Sequence, residues 1–195
     1  PFVVSENGQD YCFVEDYDYG TCRGHIAVYL LHEQGAECLG NALVEPFHLS
    51  FPYLFRFESE IYMCPETSGS GQIRIYKSKG FPLRWELHRV IMENVSAVDT
   101  MLFERDGLWW MLTNIDMSGT GDHCSELCLF WADSPMSSNW TSHPMNPLFI
   151  DTAKGRNAGL LFDGESHYRV AQKQGFERYG KAFSINRIDL IDSLE

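Results

Sequence analysis

Residues 100–114 read TMLFERDGLWWMLTN: an apolar run, a polar turn at Asp106-Gly107, then a second apolar run. Three other stretches align with it without gaps, residues 1–15 (PFVVSENGQDYCFVE), 52–66 (PYLFRFESEIYMCPE) and 158–172 (AGLLFDGESHYRVAQ). One register holds an aromatic residue in all four, Tyr11, Tyr62, Trp110 and Tyr168. Four residues later each stretch carries a polar side chain, Glu15, Glu66, Asn114 and Gln172. Apolar run, turn and apolar run, with turns such as Asn7-Gly8, is the pattern of a β-hairpin. A third strand is predicted in each unit, over residues 25–31, 72–78, 126–132 and 181–188, with apolar and polar residues alternating in the first three. Fourth strands are predicted around residues 85–90 and 38–44.

The unit recurs about every 50 residues with three or four strands each, which is the signature of propeller blades rather than of hairpins in a sandwich. The expected fold is therefore an all-β propeller with about four blades in this chain, over residues 1–45, 46–93, 94–150 and 151–195, and no internal domain boundary. Residues 115–124 (IDMSGTGDHC) read as a rim loop. Because the chain starts inside the apolar run Pro1-Phe2-Val3-Val4, the expectation is a truncated N-terminus and a longer natural protein. A closed ring then needs a fifth blade from missing sequence, from the C-terminal residues or from a second chain, since an open ring exposes strand edges.

Apolar residues make up 44% of the 195 and aromatics 14%, enough for a packed core. A net charge of −12 repels phosphate backbones and anionic bilayers, so neither nucleic acid nor a membrane surface is an expected partner. There is no apolar run of membrane-spanning length and no visible signal segment, so membrane insertion is not expected and a cytoplasmic location is favoured. The six cysteines are irregularly spaced, and Cys124-Ser-Glu-Leu-Cys128 lacks a second matching pair; free, mostly buried thiols are expected, with no metal and no cofactor.

Equivalent positions of successive blades converge around a propeller's axis, so the alignment also nominates a site. The residue just before the aligned block is Phe51, Asp99 and Asn157 in blades two to four. With Glu15, Glu66, Asn114 and Gln172, these registers supply three carboxylates and three carboxamides, which suits sugar hydroxyls. Glu66 and Asp99 interrupt apolar stretches, so partial burial is expected to raise their proton affinity. His48, Arg169 and Tyr179 are further candidates for ligand contact. Tyr62, Trp110 and Tyr168 are expected to pack the blades.

A resemblance emerges from an ordered set: His48-Leu49-Ser50-Phe51-Pro52, Pro65-Glu66-Thr67-Ser68, Phe81-Pro82-Leu83-Arg84-Trp85, Ala97-Val98-Asp99-Thr100, Trp109-Trp110 and Ala132-Asp133-Ser134-Pro135. This resembles the five-bladed propellers of the arabinanase, levansucrase and invertase group (glycosyl hydrolase family 43-like). It is most similar to the propeller domain found with bacterial formyltransferases and in plant glucosamine inositolphosphorylceramide transferases. The resemblance implies a five-bladed propeller and a site of three acids, the second of which matches Asp99. The first blade of such families opens with Asp-Pro, whereas Pro1 is the first residue here, and blade four offers Asn157 and Gln172 where a third acid is sought.

Two functional expectations follow. One is a carbohydrate-active propeller, glycoside hydrolase-like, that binds a sugar or glycoconjugate in its central funnel; Asp99 acts as base or charge stabiliser, Glu66 as acid, and Glu15, His48, Asn114, Asn157, Arg169, Gln172 and Tyr179 hold substrate. The other is a non-catalytic domain that recognises a glycan or sugar nucleotide for a fused or partner transferase domain.

Overall fold

The computed structural model describes residues 1–175 and 178–193. It contains four antiparallel sheets in chain order. The first holds β1 (Phe2–Glu6), β2 (Gln9–Asp18), β3 (Arg23–His32) and β4 (Gly35–Leu43); the second holds β5 (Ser50–Phe57), β6 (Glu60–Glu66), β7 (Gln72–Gly80) and β8 (Arg84–Glu93). The third is built on β9 (Ala97–Arg105), β10 (Leu108–Ile115) and β11 (Glu126–Ala132), with two-residue strands β12 (Thr141–Ser142) and β13 (Phe149–Ile150) both pairing with β11. The fourth has three strands, β14 (Asn157–Phe162), β15 (His167–Gly175) and β16 (Arg178–Arg187). The first, second and fourth sheets are meanders in which neighbours in sequence are neighbours in space, and in the third β9 to β12 follow the same order while β13 returns to β11. These are the blades of the all-β propeller fold that the repeat predicts. The chain divides into two compact units, Pro1–Asn94 and Val95–Glu195, each carrying two consecutive blades.

Local chemistry explains the hairpins. The β1–β2, β5–β6 and β9–β10 connections are two-residue turns in which both residues have positive φ: Asn7 and Gly8 (51° and 77°), Glu58 and Ser59 (49° and 64°), Asp106 and Gly107 (56° and 78°). Such turns twist in the sense of the strands they join, and they favour asparagine, aspartate and glycine. Glu58-Ser59 has neither glycine nor a short amide or acid, so the tight β5–β6 pairing imposes that geometry against local preference.

Two-residue periodicity then builds each core. In the first unit Phe13 of β2, Ile26 and Val28 of β3, and Ile61 and Met63 of β6 bury one side each and meet Leu49, Tyr76 and Trp85. Aromatic edges join the two blades of this unit: Trp85 stands edge-on to Phe13 at 5.8 Å and Phe81 edge-on to Tyr11 at 4.9 Å between ring centroids. In the second unit Met101, Trp110, Met111, Leu127 and Leu129 are buried, and the Trp110 indole N–H donates to the carbonyl of Arg105 at 3.2 Å. Of the recurring aromatics, Tyr62 and Trp110 are buried, while the hydroxyls of Tyr11 and Tyr168 donate to Gln9 and Asp163 near their hairpin turns. All six cysteines are free thiols; Cys64 and Cys128 are buried, and Cys22 and Cys38 are exposed.

Two stability outcomes are expected. Ser59→Gly relieves a left-handed residue in an exposed turn and raises stability by about 0.5–1 kcal/mol, read as a rise in Tm of roughly 1–4 °C. Met63→Ala empties a fully buried core position and costs about 2–5 kcal/mol in denaturant unfolding.

Candidate functional site

The second unit places Asp99 by a β-bulge. Val98 pairs with Asn114 and Met101 with Leu112, so Asp99 and Thr100 together oppose Thr113. The hydroxyls of Thr100 and Thr113 share a hydrogen bond of 2.8 Å across this irregularity. Asp99 adopts φ +51°, a left-handed conformation that costs an L-residue about 1–2 kcal/mol and that aspartate tolerates better than most. The same device recurs in the first unit. There Ser50 pairs with Glu66 and Tyr53 with Cys64, and Phe51 takes φ +44°. The alignment of Phe51 with Asp99 in sequence is thus an alignment of bulges. In blade four the irregularity lies between Asn157 and Gly159.

Asp99 is 4% exposed and its carboxylate accepts a hydrogen bond from Arg156 Nε at 2.7 Å. Burial is the largest single influence and works against the charge of Arg156, but the Asp99 carboxylate, Cys124 and Tyr179 together outweigh it, and the guanidinium is held above its ordinary value. The Arg156 guanidinium also lies 5.0 Å from the ring centroid of Tyr179 and donates to Cys124 Sγ at 3.5 Å. Tyr179 is 71% exposed. The stack therefore runs from an exposed aromatic ring, through a guanidinium, to a buried carboxylate. An ion-paired carboxylate of this kind suits accepting hydrogen bonds or stabilising positive charge better than donating a proton. Gln172 lies alongside: its N–H donates to the carbonyl of Arg156 at 2.9 Å, and its buried side-chain amide faces the Tyr179 hydroxyl.

Beneath this stack the amide-bearing candidates form a closed network. Asn114 Nδ2 donates to the carbonyls of Glu126 and Gly155 at 2.8 and 2.9 Å, and its Oδ1 accepts from the N–H of Asn157 at 2.9 Å. Asn157 Nδ2 donates to the carbonyls of Asp99 and Leu112 at 2.8 and 3.1 Å. Arg169 Nε donates to Asn157 Oδ1 at 2.7 Å, and its terminal nitrogens donate to the carbonyls of Lys154 and Gly155. Asn114, Asn157 and Arg169 are all buried, and burial pushes Arg169 down to about 10. These three side chains fasten the segment that carries Arg156 to the strand that carries Asp99. Gly155 is required here, because a Cβ would lie 2.0 Å from the carbonyl oxygen of Ser125.

The first unit gathers the remaining candidates around Gly24 and β6. His48 Nδ1 accepts from the N–H of Gly24 at 2.8 Å, and its Nε2 stands 3.5 Å from Glu15 Oε1. A Cβ at Gly24 would lie 2.5 Å from the carbonyl oxygen of Leu49 and 2.8 Å from His48 Cε1, so only glycine admits this approach. Glu66, half-buried, accepts from the Ser68 hydroxyl at 3.0 Å. Arg156 and Cys124, which touch each other beside Asp99, were not among the candidates from sequence. The one available signal for Arg156 was its place directly before Asn157 in the aligned register. Asn114→Leu would leave the Asn157 N–H unpaired and take a donor from the carbonyls of Glu126 and Gly155, of which Gly155 keeps Arg169. It is expected to cost about 3–5 kcal/mol, seen as a lower denaturation midpoint at unchanged slope.

Comparison with known proteins bears on this geometry. A model of the family described as "Glucosamine inositolphosphorylceramide transferase 1, N-terminal" matches residues 1–195. The proteins named glucosamine inositolphosphorylceramide transferase 1 from Arabidopsis thaliana and Oryza sativa subsp. japonica are 34% and 35% identical to it over 201 residues. The chain is covered completely but spans only 26% of each of these relatives. Among solved structures, a thermostable family-43 glycoside hydrolase superposes with a TM-score of 0.74 at 14% identity, over 98% of this chain and 72% of the other. An arabinanase from Bacillus subtilis gives 0.62 at 12% identity, over 95% and 71%. At such identities these structures establish the propeller fold alone. With the whole chain matched by the family model, and with curated relatives at about one third identity, the chain belongs to the family of N-terminal regions of glucosamine inositolphosphorylceramide transferase 1.

Proposed function

We propose that this chain binds a sugar or glycoconjugate at the face where Tyr179, Arg156 and Asp99 are stacked. The observation that carries the reading is the buried Asp99 carboxylate, 2.7 Å from Arg156, beneath an exposed aromatic ring. A carboxylate and a guanidinium hydrogen-bond hydroxyls, and an aromatic face packs against the apolar side of a pyranose ring. Gln172, whose side-chain amide faces Tyr179, adds a polar group at the same place. Glycoside hydrolases share the fold, and the curated relatives are named for glucosamine and inositolphosphorylceramide, so an amino sugar or a sugar-bearing headgroup is the first ligand class to test.

The catalytic form of this reading makes Asp99 the base or charge stabiliser in cleavage or transfer of a glycosidic bond. In its non-catalytic form, the domain recognises the glycan for an attached transferase domain. Asn157 favours the second form: it occupies the blade-four register where an acid is sought, and its amide is spent wholly on buried protein groups.

Aryl glucosaminides and free glucosamine separate these forms. With wild-type protein, saturable binding is expected, and Tyr179→Ala weakens it about three- to tenfold. Turnover that disappears in Asp99→Asn establishes the catalytic form, and binding without turnover the recognition form. Neither binding nor turnover across a panel of glycosides overturns the proposal.

A further inference from the structure

The second unit contains a cavity of about 410 Å³ that the stack does not use; neither Asp99, Arg156 nor Tyr179 lines it. Its volume falls in the range of small-molecule sites, roughly 300–1,000 Å³. Leu112 and the β11 residues Leu127 and Leu129 form one wall, and Leu148, Ile188 and Leu190 close it. Arg169 and Lys154 stand in the same lining.

Arg169 makes this cavity more than a packing defect. The residue is 5% exposed, and a buried charge normally has an ionised partner. Arg169 has none among the described residues; its partners are the amide oxygen of Asn157 and two backbone carbonyls. Those bonds occupy three of the five guanidinium N–H groups. Two carboxylates lie in the lining, Asp189 and Asp192, but Asp189 pairs with Arg187 at 2.6 Å. Burial lowers Arg169 to about 10, with no charged neighbour contributing, so it stays cationic at neutral pH without a counter-ion. Lys154, exposed at the opening, adds a second positive charge.

We propose that this cavity binds a small amphipathic anion, a medium-chain carboxylate in its simplest form, with the head group against Arg169 and Lys154 and the chain along Leu127, Leu129 and Leu148. Charge complementarity selects the head, and the leucine lining selects the tail. Arg169 also hydrogen-bonds Asn157, whose amide holds the carbonyl of Asp99, so the occupied cavity shares a wall with the sugar-binding stack without being part of it.

The probe is decanoate, titrated into the chain and followed by calorimetry and by amide chemical shifts. Acetate supplies the head without the tail, and decanamide the tail without the charge. Saturable one-to-one binding of decanoate is expected, with at least tenfold weaker binding of both controls. Leu148→Trp, which fills the cavity from its rim and leaves the Arg169 network intact, abolishes binding, and Lys154→Ala weakens it three- to tenfold. Three results overturn the proposal: no saturation with decanoate, equal affinity for the neutral amide, or unchanged affinity in a folded Leu148→Trp variant. Arg169→Met is kept out of the decisive comparison because it also releases the segment before β14. The result is independent of the sugar assays, since neither control nor variant touches the stack.

Discussion

A carboxylate buried in an apolar strand must be answered by charge or hydrogen bonds, and in the second unit that constraint organises everything around Asp99. Arg156 answers it at 2.7 Å. A guanidinium taken from water repays its own desolvation only when its geometry is held, and breaking one partner of such a pair costs about 3–5 kcal/mol. The holding falls to Asn114, Asn157 and Arg169, which tie the chain just before β14 to β9, β10 and β11. Apart from the bond between Arg169 Nε and Asn157 Oδ1, their amide and guanidinium groups are spent on backbone groups.

The bulge explains why the device sits where it does. A regular strand would point residue 99 to one face of the sheet and residue 100 to the other, in step with Thr113 and its neighbours. Placing two residues opposite one breaks that step and turns the Asp99 side chain. Phe51 occupies the matching bulge in the first unit with a similar φ, so the backbone feature belongs to the repeat and the side chain upon it varies. One blade uses the position for an aromatic contact, Phe51 packing edge-on to Phe2 at 4.9 Å, and the next uses it for a charge.

Much of the fold was legible along the chain because hairpins announce themselves locally. The Asn7-Gly8 and Asp106-Gly107 turns, the recurring aromatic and the alternating third strands are each readable within about 15 residues, and all four sheets follow. Glu58-Ser59 shows the limit: nothing in that pair asks for two left-handed residues, and the pairing of β5 with β6 imposes them. The short strands β12 and β13 were equally silent, since their partner β11 draws them from a segment with no strand pattern of its own.

For the site, sequence determined which residue types stand at equivalent blade positions, and so singled out Asp99, Asn114, Asn157, Gln172 and Glu66. It could not apportion their tasks. Asparagine in a strand reads the same whether its amide faces solvent or closes a buried network, because the partners are main-chain carbonyls that any residue could supply. The role of Arg156 could not be read for the related reason that its partner lies 57 residues away in sequence. Only the tertiary structure decided which carboxylate is paired, which amides are consumed within the protein and which cation is left without an anion. Those outcomes depend on distances between strands that no local pattern encodes.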